Sequence, residues 1–84
     1  QVSRAVRHRT VEEVWYITEG SGEMWRQQGD REEVTVLRPG LCLTIPAGTA
    51  FQFRAAATAP LAAVAVTMPP WPGEEEALFV RGVW

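Results

Sequence analysis

The chain has 84 residues, enough for one small domain, because a second autonomous core needs roughly another 50. Its eight basic residues are all Arg and stand against ten acidic ones, net −2 with histidine neutral, and the absence of Lys excludes Schiff-base, pyridoxal-type and phosphate-loop lysine chemistry. A single Cys, Cys42, allows no internal disulfide, and a single histidine, His8, allows no multi-histidine metal centre from one copy. Gly and Pro then punctuate segments rich in β-formers, so the spacing predicts strands rather than helices. In chain order the expected strands are Ala5 to Arg9, Val14 to Thr18, Glu23 to Gln28, Glu33 to Leu37, Leu41 to Ile45, Phe51 to Ala55 and Leu61 to Thr67. Glu19-Gly20-Ser21-Gly22 and Gly29-Asp30 read as hairpin turns, and Arg38-Pro39-Gly40 and Pro46-Ala47-Gly48 as two further turns. Seven such strands nearly fill an eight-stranded all-β barrel.

After Met68 the composition changes to Pro69-Pro70-Trp71-Pro72-Gly73, three glutamates and a short apolar run, Ala77 to Val80. We read 69–84 as a C-terminal arm of one domain spanning 1–84. Its prolines keep it out of a central strand, and Trp71 and Trp84 place it across the barrel or a partner subunit. Glu74 to Glu76 read as a solvated turn.

Alternation decides which side chains share an interior. An inward His8 brings Val6 and Thr10 with it. On the next strand Glu13, Trp15 and Ile17 share a face, and after the Pro46 turn Phe51 and Phe53 do, with Gln52 and Arg54 opposite. A barrel lined by Trp15, Ile17, Phe51, Phe53, Val64 and Val66, with His8 and Glu13 as its few polar groups, has the anatomy of a small-molecule pocket. Trp25 is a further stacking candidate, and Arg26 beside it a candidate fork for a carboxylate or phosphate. Each has a plainer reading as barrel filling or an outward side chain. Cys42, within an apolar strand, reads as buried and inert.

Two stretches resemble the cupins, a superfamily of double-stranded β-helix, or jelly-roll, barrels. The first cupin motif has a glycine, two alternating histidines, a glutamate three or four residues on, and a glycine after six more. Here His8 stands at the second histidine, with Glu13 and Gly20 at the matching distances. The second motif runs glycine, five residues, proline, any residue, glycine, then histidine and asparagine. Gly40, Pro46 and Gly48 match it in place. The resemblance covers about residues 4 to 67. Val6 occupies the place of the first histidine, Phe51 that of the second motif's histidine and Ala55 that of the asparagine. Cupin metal sites use three histidines and a glutamate, so a divalent metal would find only His8 and Glu13 here, below the usual three protein ligands.

The resemblance implies a small-molecule-binding cupin that works without metal. His8 and Glu13 form a pair suited to proton transfer next to a carbonyl, the step behind sugar isomerisation and epimerisation. Trp15, Trp25, Arg26, Phe51 and Phe53 are the candidate ligand contacts. Three alternatives stay open: a metal-dependent oxygenase with an incomplete ligand set, a sensor or structural barrel without turnover, and a His8 that is simply a core histidine satisfied by Glu13. With 46% hydrophobic and 21% charged residues and no long apolar run, we expect a soluble cytoplasmic protein with no membrane or nucleic-acid partner. Exposed edges of so small a barrel predict a homodimer, crossed by the N-terminal segment or the Trp71 to Trp84 arm.

Overall fold

The computed structural model describes residues 2–58, 60–68 and 76–84. Eight strands run through them: β1 (Val6–His8), β2 (Glu12–Glu19), β3 (Gly22–Gln28), β4 (Arg31–Leu37), β5 (Cys42–Ile45), β6 (Ala50–Ala55), β7 (Ala62–Met68) and β8 (Ala77–Phe79). They form two antiparallel sheets, one of five strands in the order β4-β3-β6-β1-β8 and one of three in the order β5-β2-β7. The expected all-β jelly-roll architecture is what folds, although hydrogen bonding does not close the two sheets into one continuous barrel. Among the described residues no helix is long and apolar enough to cross a membrane.

The core lies between the sheets. Alternation puts Ile17, Leu43 and Ile45 of the small sheet against Met24, Leu37 and Phe51 of the large one, all buried. Each such side chain taken from water contributes about 1.5–3 kcal/mol. A second cluster lies on the outer face of the large sheet, where Ala5, Trp25 and Ala50 pack beneath Val80 and Trp84.

Gly29-Asp30 closes the β3–β4 hairpin, with Gln28 paired to Arg31 and Gly29 at φ 60° in the left-handed region that a two-residue hairpin turn asks for. The expected hairpin at Glu19 to Gly22 is corrected. β2 and β3 belong to different sheets, so this segment carries the chain across the core rather than back along a ladder. A glycine with positive φ serves either geometry, and the sequence does not distinguish them.

Val64 and Val66 also differ from expectation. β2 sets the register of β7, pairing Glu13, Trp15 and Ile17 with Thr67, Ala65 and Ala63. The small side chains of β7 therefore share the face of the Trp15 indole, and both valines point outward and are exposed. Cys42 is likewise outward and exposed rather than buried, because Leu43 and Ile45 take the inner phase of β5.

Residues 76–84 return to their own barrel. β8 pairs with β1 at an edge, and the Val80 N–H donates to the Ala5 carbonyl. The Gln52 side chain then anchors the C-terminus, its Oε1 accepting from the Val83 and Trp84 amides and its Nε2 donating to the Ser3 and Trp84 carbonyls. The Arg54 guanidinium stacks 4.2 Å from the Trp84 ring centre. At the other end Val2 bridges to Arg54 of the same chain. Val2 and residues 76–84 thus pack on their own chain, and Trp71, Glu74 and Glu75 lie outside the described residues.

Candidate functional site

Five of the predicted residues meet inside the barrel. His8 ends β1, its carbonyl accepting from the Gly48 amide, so the Pro46-Ala47-Gly48 turn fixes where the imidazole enters the core. Glu13 lies on β2, and alternation turns it inward along with Trp15. His8 Nδ1 sits 3.0 Å from Glu13 Oε2, both side chains nearly buried, and the Trp15 indole Nε1–H donates to Glu13 Oε1 at 2.6 Å. One carboxylate thus holds an imidazole and an indole at once.

Rings continue outward from this node. His8 meets Phe51 edge-on with centroids 5.3 Å apart, Phe51 meets Trp15 at 6.4 Å, and Trp15 meets Phe53 at 5.1 Å. These are edge-to-face geometries, favoured by the ring quadrupoles. The ladder ends at Phe53, which forms the inner wall of a wide mouth of about 570 Å³ between the N-terminal segment and the loop before β7. That volume falls within the range of small-molecule sites.

Trp25 and Arg26 do not join this cluster, the first because it faces outward and the second because it lies at the other end of the inner face. Trp25 is buried on the outer face of the large sheet, its Nε1–H donating to Glu32 Oε1 at 2.9 Å. It fills a second core and is no stacking platform. Arg26 points inward at the opposite end from the wide mouth. Its fork is already occupied, by Glu33 Oε1 at 2.5 Å, by the Thr35 hydroxyl and by the Thr44 carbonyl at 2.7 Å. Arg26 thereby fastens the β4 edge to the β5 edge, and it lines a smaller cleft of about 210 Å³ with Arg31 and Thr49. Among the described residues its Nε and the Thr49 hydroxyl are buried there with no hydrogen-bond partner.

Glu76, expected in a solvated turn, is instead buried. Its Oε2 accepts from the amides of Thr10 and Val11 and its Oε1 from the Thr10 hydroxyl, while its carbonyl accepts from the Arg9 amide. It fastens the C-terminal segment to the β1–β2 turn that carries His8 and Glu13. No sequence signal marks it, because its donors, two amides and a hydroxyl at Thr10 and Val11, lie 65 or 66 residues away along the chain. Burial pushes its pKa up, but the Thr10 hydroxyl, the Thr10 and Val11 amides and the nearby His8 together outweigh that and leave it lowered. With the folded pKa below the unfolded one, the carboxylate's contribution is fully present above the ordinary glutamate range and is lost as pH falls through the lowered value. Glu76→Gln should therefore lower the thermal midpoint at neutral pH, and the gap to the parent should narrow as the buffer is taken to about pH 3. A gap that stays constant with pH would show that the charge of Glu76 is not what holds this turn.

The site does not fit a metal. Val6 and Phe51 present hydrocarbon where two ligands would stand, and Glu13 is committed to His8 and Trp15. Among the described residues no group of three or more His, Cys, Asp or Glu side chains converges.

Compared with known proteins, residues 1–67 match the family model described as a Cupin domain. No curated protein sequence matches the chain.

Proposed function

This chain belongs to the cupin family, and we propose that it binds a small organic molecule in the wide mouth against Phe53, with no metal taking part. The observation that carries the reading is the aromatic ladder. A cavity of about 570 Å³ ends on Phe53, and behind Phe53 the rings of Trp15 and Phe51 lead to a braced His8–Glu13 pair. Val2, Phe53, Pro60 and Leu61 supply apolar walls and Ser3 and Thr58 a few polar groups, so the site favours a compact ligand with one flat apolar face and one hydroxyl-bearing edge.

The test is a thermal-shift screen of sugar-like and aromatic small molecules, since a ligand that binds only the folded state raises the midpoint. Phe53→Ala should weaken any hit roughly tenfold. A hit whose affinity ignores that substitution seats elsewhere and contradicts the reading.

A second reading, proton transfer of the isomerase or epimerase kind, has one observation in its favour. Glu13 Oε2 stands 3.0 Å from His8 Nδ1, so a proton carried on Nδ1 would face the carboxylate and leave Nε2 as the nitrogen able to accept one, the arrangement in which a carboxylate orients a general base. Incubating hits that carry a carbonyl in deuterated water tests it. Deuterium entering at the adjacent carbon, and absent with His8→Ala, supports the step; binding without exchange leaves the protein a binding module. The oxygenase alternative gains nothing from the donor set described above.

A further inference from the structure

We infer that the cleft at the Arg26 end of the barrel is a second binding site, which takes a small organic acid through its carboxylate on Arg31, the Arg26 Nε–H and the Thr49 hydroxyl. None of the residues lining this cleft lines the wide mouth, so the inference does not depend on the ligand reading given above.

The polar groups of the cleft divide into those already engaged and those that are not. Its acceptors are engaged. Glu33 is paired with Arg26, Glu32 accepts from the Trp25 indole, and the Thr44 carbonyl accepts from Arg26 Nη1. Its remaining donors stand open. Among the described residues the Arg31 guanidinium makes no ion pair, and Arg26 Nε and the hydroxyl of Thr49, a residue only 3% exposed, are buried without a partner. A buried donor without an acceptor costs about 1–3 kcal/mol, and more where it is charged. An acceptor entering the cleft satisfies these donors together.

Charge and size select that acceptor. The two arginines and two glutamates that line the cleft cancel in formal charge. Arg31 is the cation left without a counter-ion, so one negative charge is accommodated, whereas a phosphate dianion brings a second one beside Glu32 and Glu33. A carboxylate also matches the planar guanidinium fork. The volume of about 210 Å³ is small beside sites for drug-sized molecules and suits an acid of a few carbon atoms. The donors are held in advance of binding. Arg26 is fixed by Glu33, the Thr35 hydroxyl and the Thr44 carbonyl, and the Thr49 amide donates to the Pro46 carbonyl at 3.1 Å. Little ordering is left for the ligand to impose.

Nitrogen-15 NMR of the 84-residue chain, titrated with sodium acetate and, at equal ionic strength, with sodium chloride or sodium phosphate, tests this. Acetate should shift the Arg26 Nε–H and Thr49 amide resonances saturably, with a Kd on the order of millimolar for so small a ligand. Phosphate should bind more weakly and chloride should leave both resonances in place. Thr49→Val keeps the side-chain shape and removes the hydroxyl, and Arg31→Gln changes an exposed position, so both should keep the parent circular dichroism. Each should weaken acetate about tenfold. Any of three results overturns the inference: a titration without saturation, an acetate affinity that either substitution leaves unchanged, or phosphate or chloride acting as strongly as acetate.

Discussion

Gly20→Ala should destabilise the protein by roughly 3 kcal/mol or more, a large fraction of the total for a domain this size. Gly20 sits at φ +81°, where a β-carbon costs about 1–2 kcal/mol from the backbone alone. A β-carbon built there would also lie 2.1 Å from the Pro60 carbonyl oxygen and 2.9 Å from Leu61 Cα. Both neighbours are backbone, so nothing yields cheaply. The consequence reaches the candidate site, because Pro60 and Leu61 line the wide mouth and Gly20 is where the chain passes from the β2 sheet to the β3 sheet. Gly48→Ala is the control. Its φ is +82° but no atom lies within 4 Å of the added carbon, so the loss should be about 1–2 kcal/mol. Urea unfolding of the two variants measures the difference. Equal losses would show that the close approach of Pro60 does not constrain the crossing.

Glu13→Ala is expected to cost about 3 kcal/mol, because it withdraws the acceptor from a buried indole N–H and the carboxylate from a buried imidazole in one step. Glu13→Gln separates the two roles. Its amide oxygen still accepts from Trp15, while its NH₂ faces His8 Nδ1 and makes that nitrogen the acceptor. The variant should therefore keep most of the stability yet reverse the His8 tautomer, which imidazole nitrogen chemical shifts report. A tautomer unchanged in Glu13→Gln would mean that Glu13 does not orient His8, and the proton-transfer reading would lose its footing. Loss of packing alone would not move those shifts.

Much of this was legible in the sequence. β-forming segments between Gly and Pro turns gave seven strands close to their observed bounds, and alternation grouped Glu13 with Trp15 and Ile17, and Phe51 with Phe53, on shared faces. The departures share a cause: each depends on which strand lies next to which. Nothing local says that Glu19 to Gly22 spans two sheets, or that β7 takes its phase from the bulky Trp15 of β2 and not from the size of its own valines. Trp25 looked like a stacking surface because the C-terminal segment that covers it is far away in sequence. Glu76 was read as part of a solvated turn for the same reason, since its partners at Thr10 and Val11 are brought up only by the chain's return to its own barrel. Arg26 faces inward as a ligand fork would, but its donors hold two sheet edges together.

The claim on which the functional account turns is that the cupin interior of this chain is organised by the Glu13 carboxylate and not by a metal ion. Nitrogen-15 NMR of the His8 ring and the Trp15 indole, recorded on chelator-treated protein before and after one equivalent of Zn²⁺, tests it directly. The account predicts that neither set of resonances moves. A stoichiometric shift of the His8 nitrogens, accompanied by release of the Trp15 N–H from its carboxylate, would contradict it.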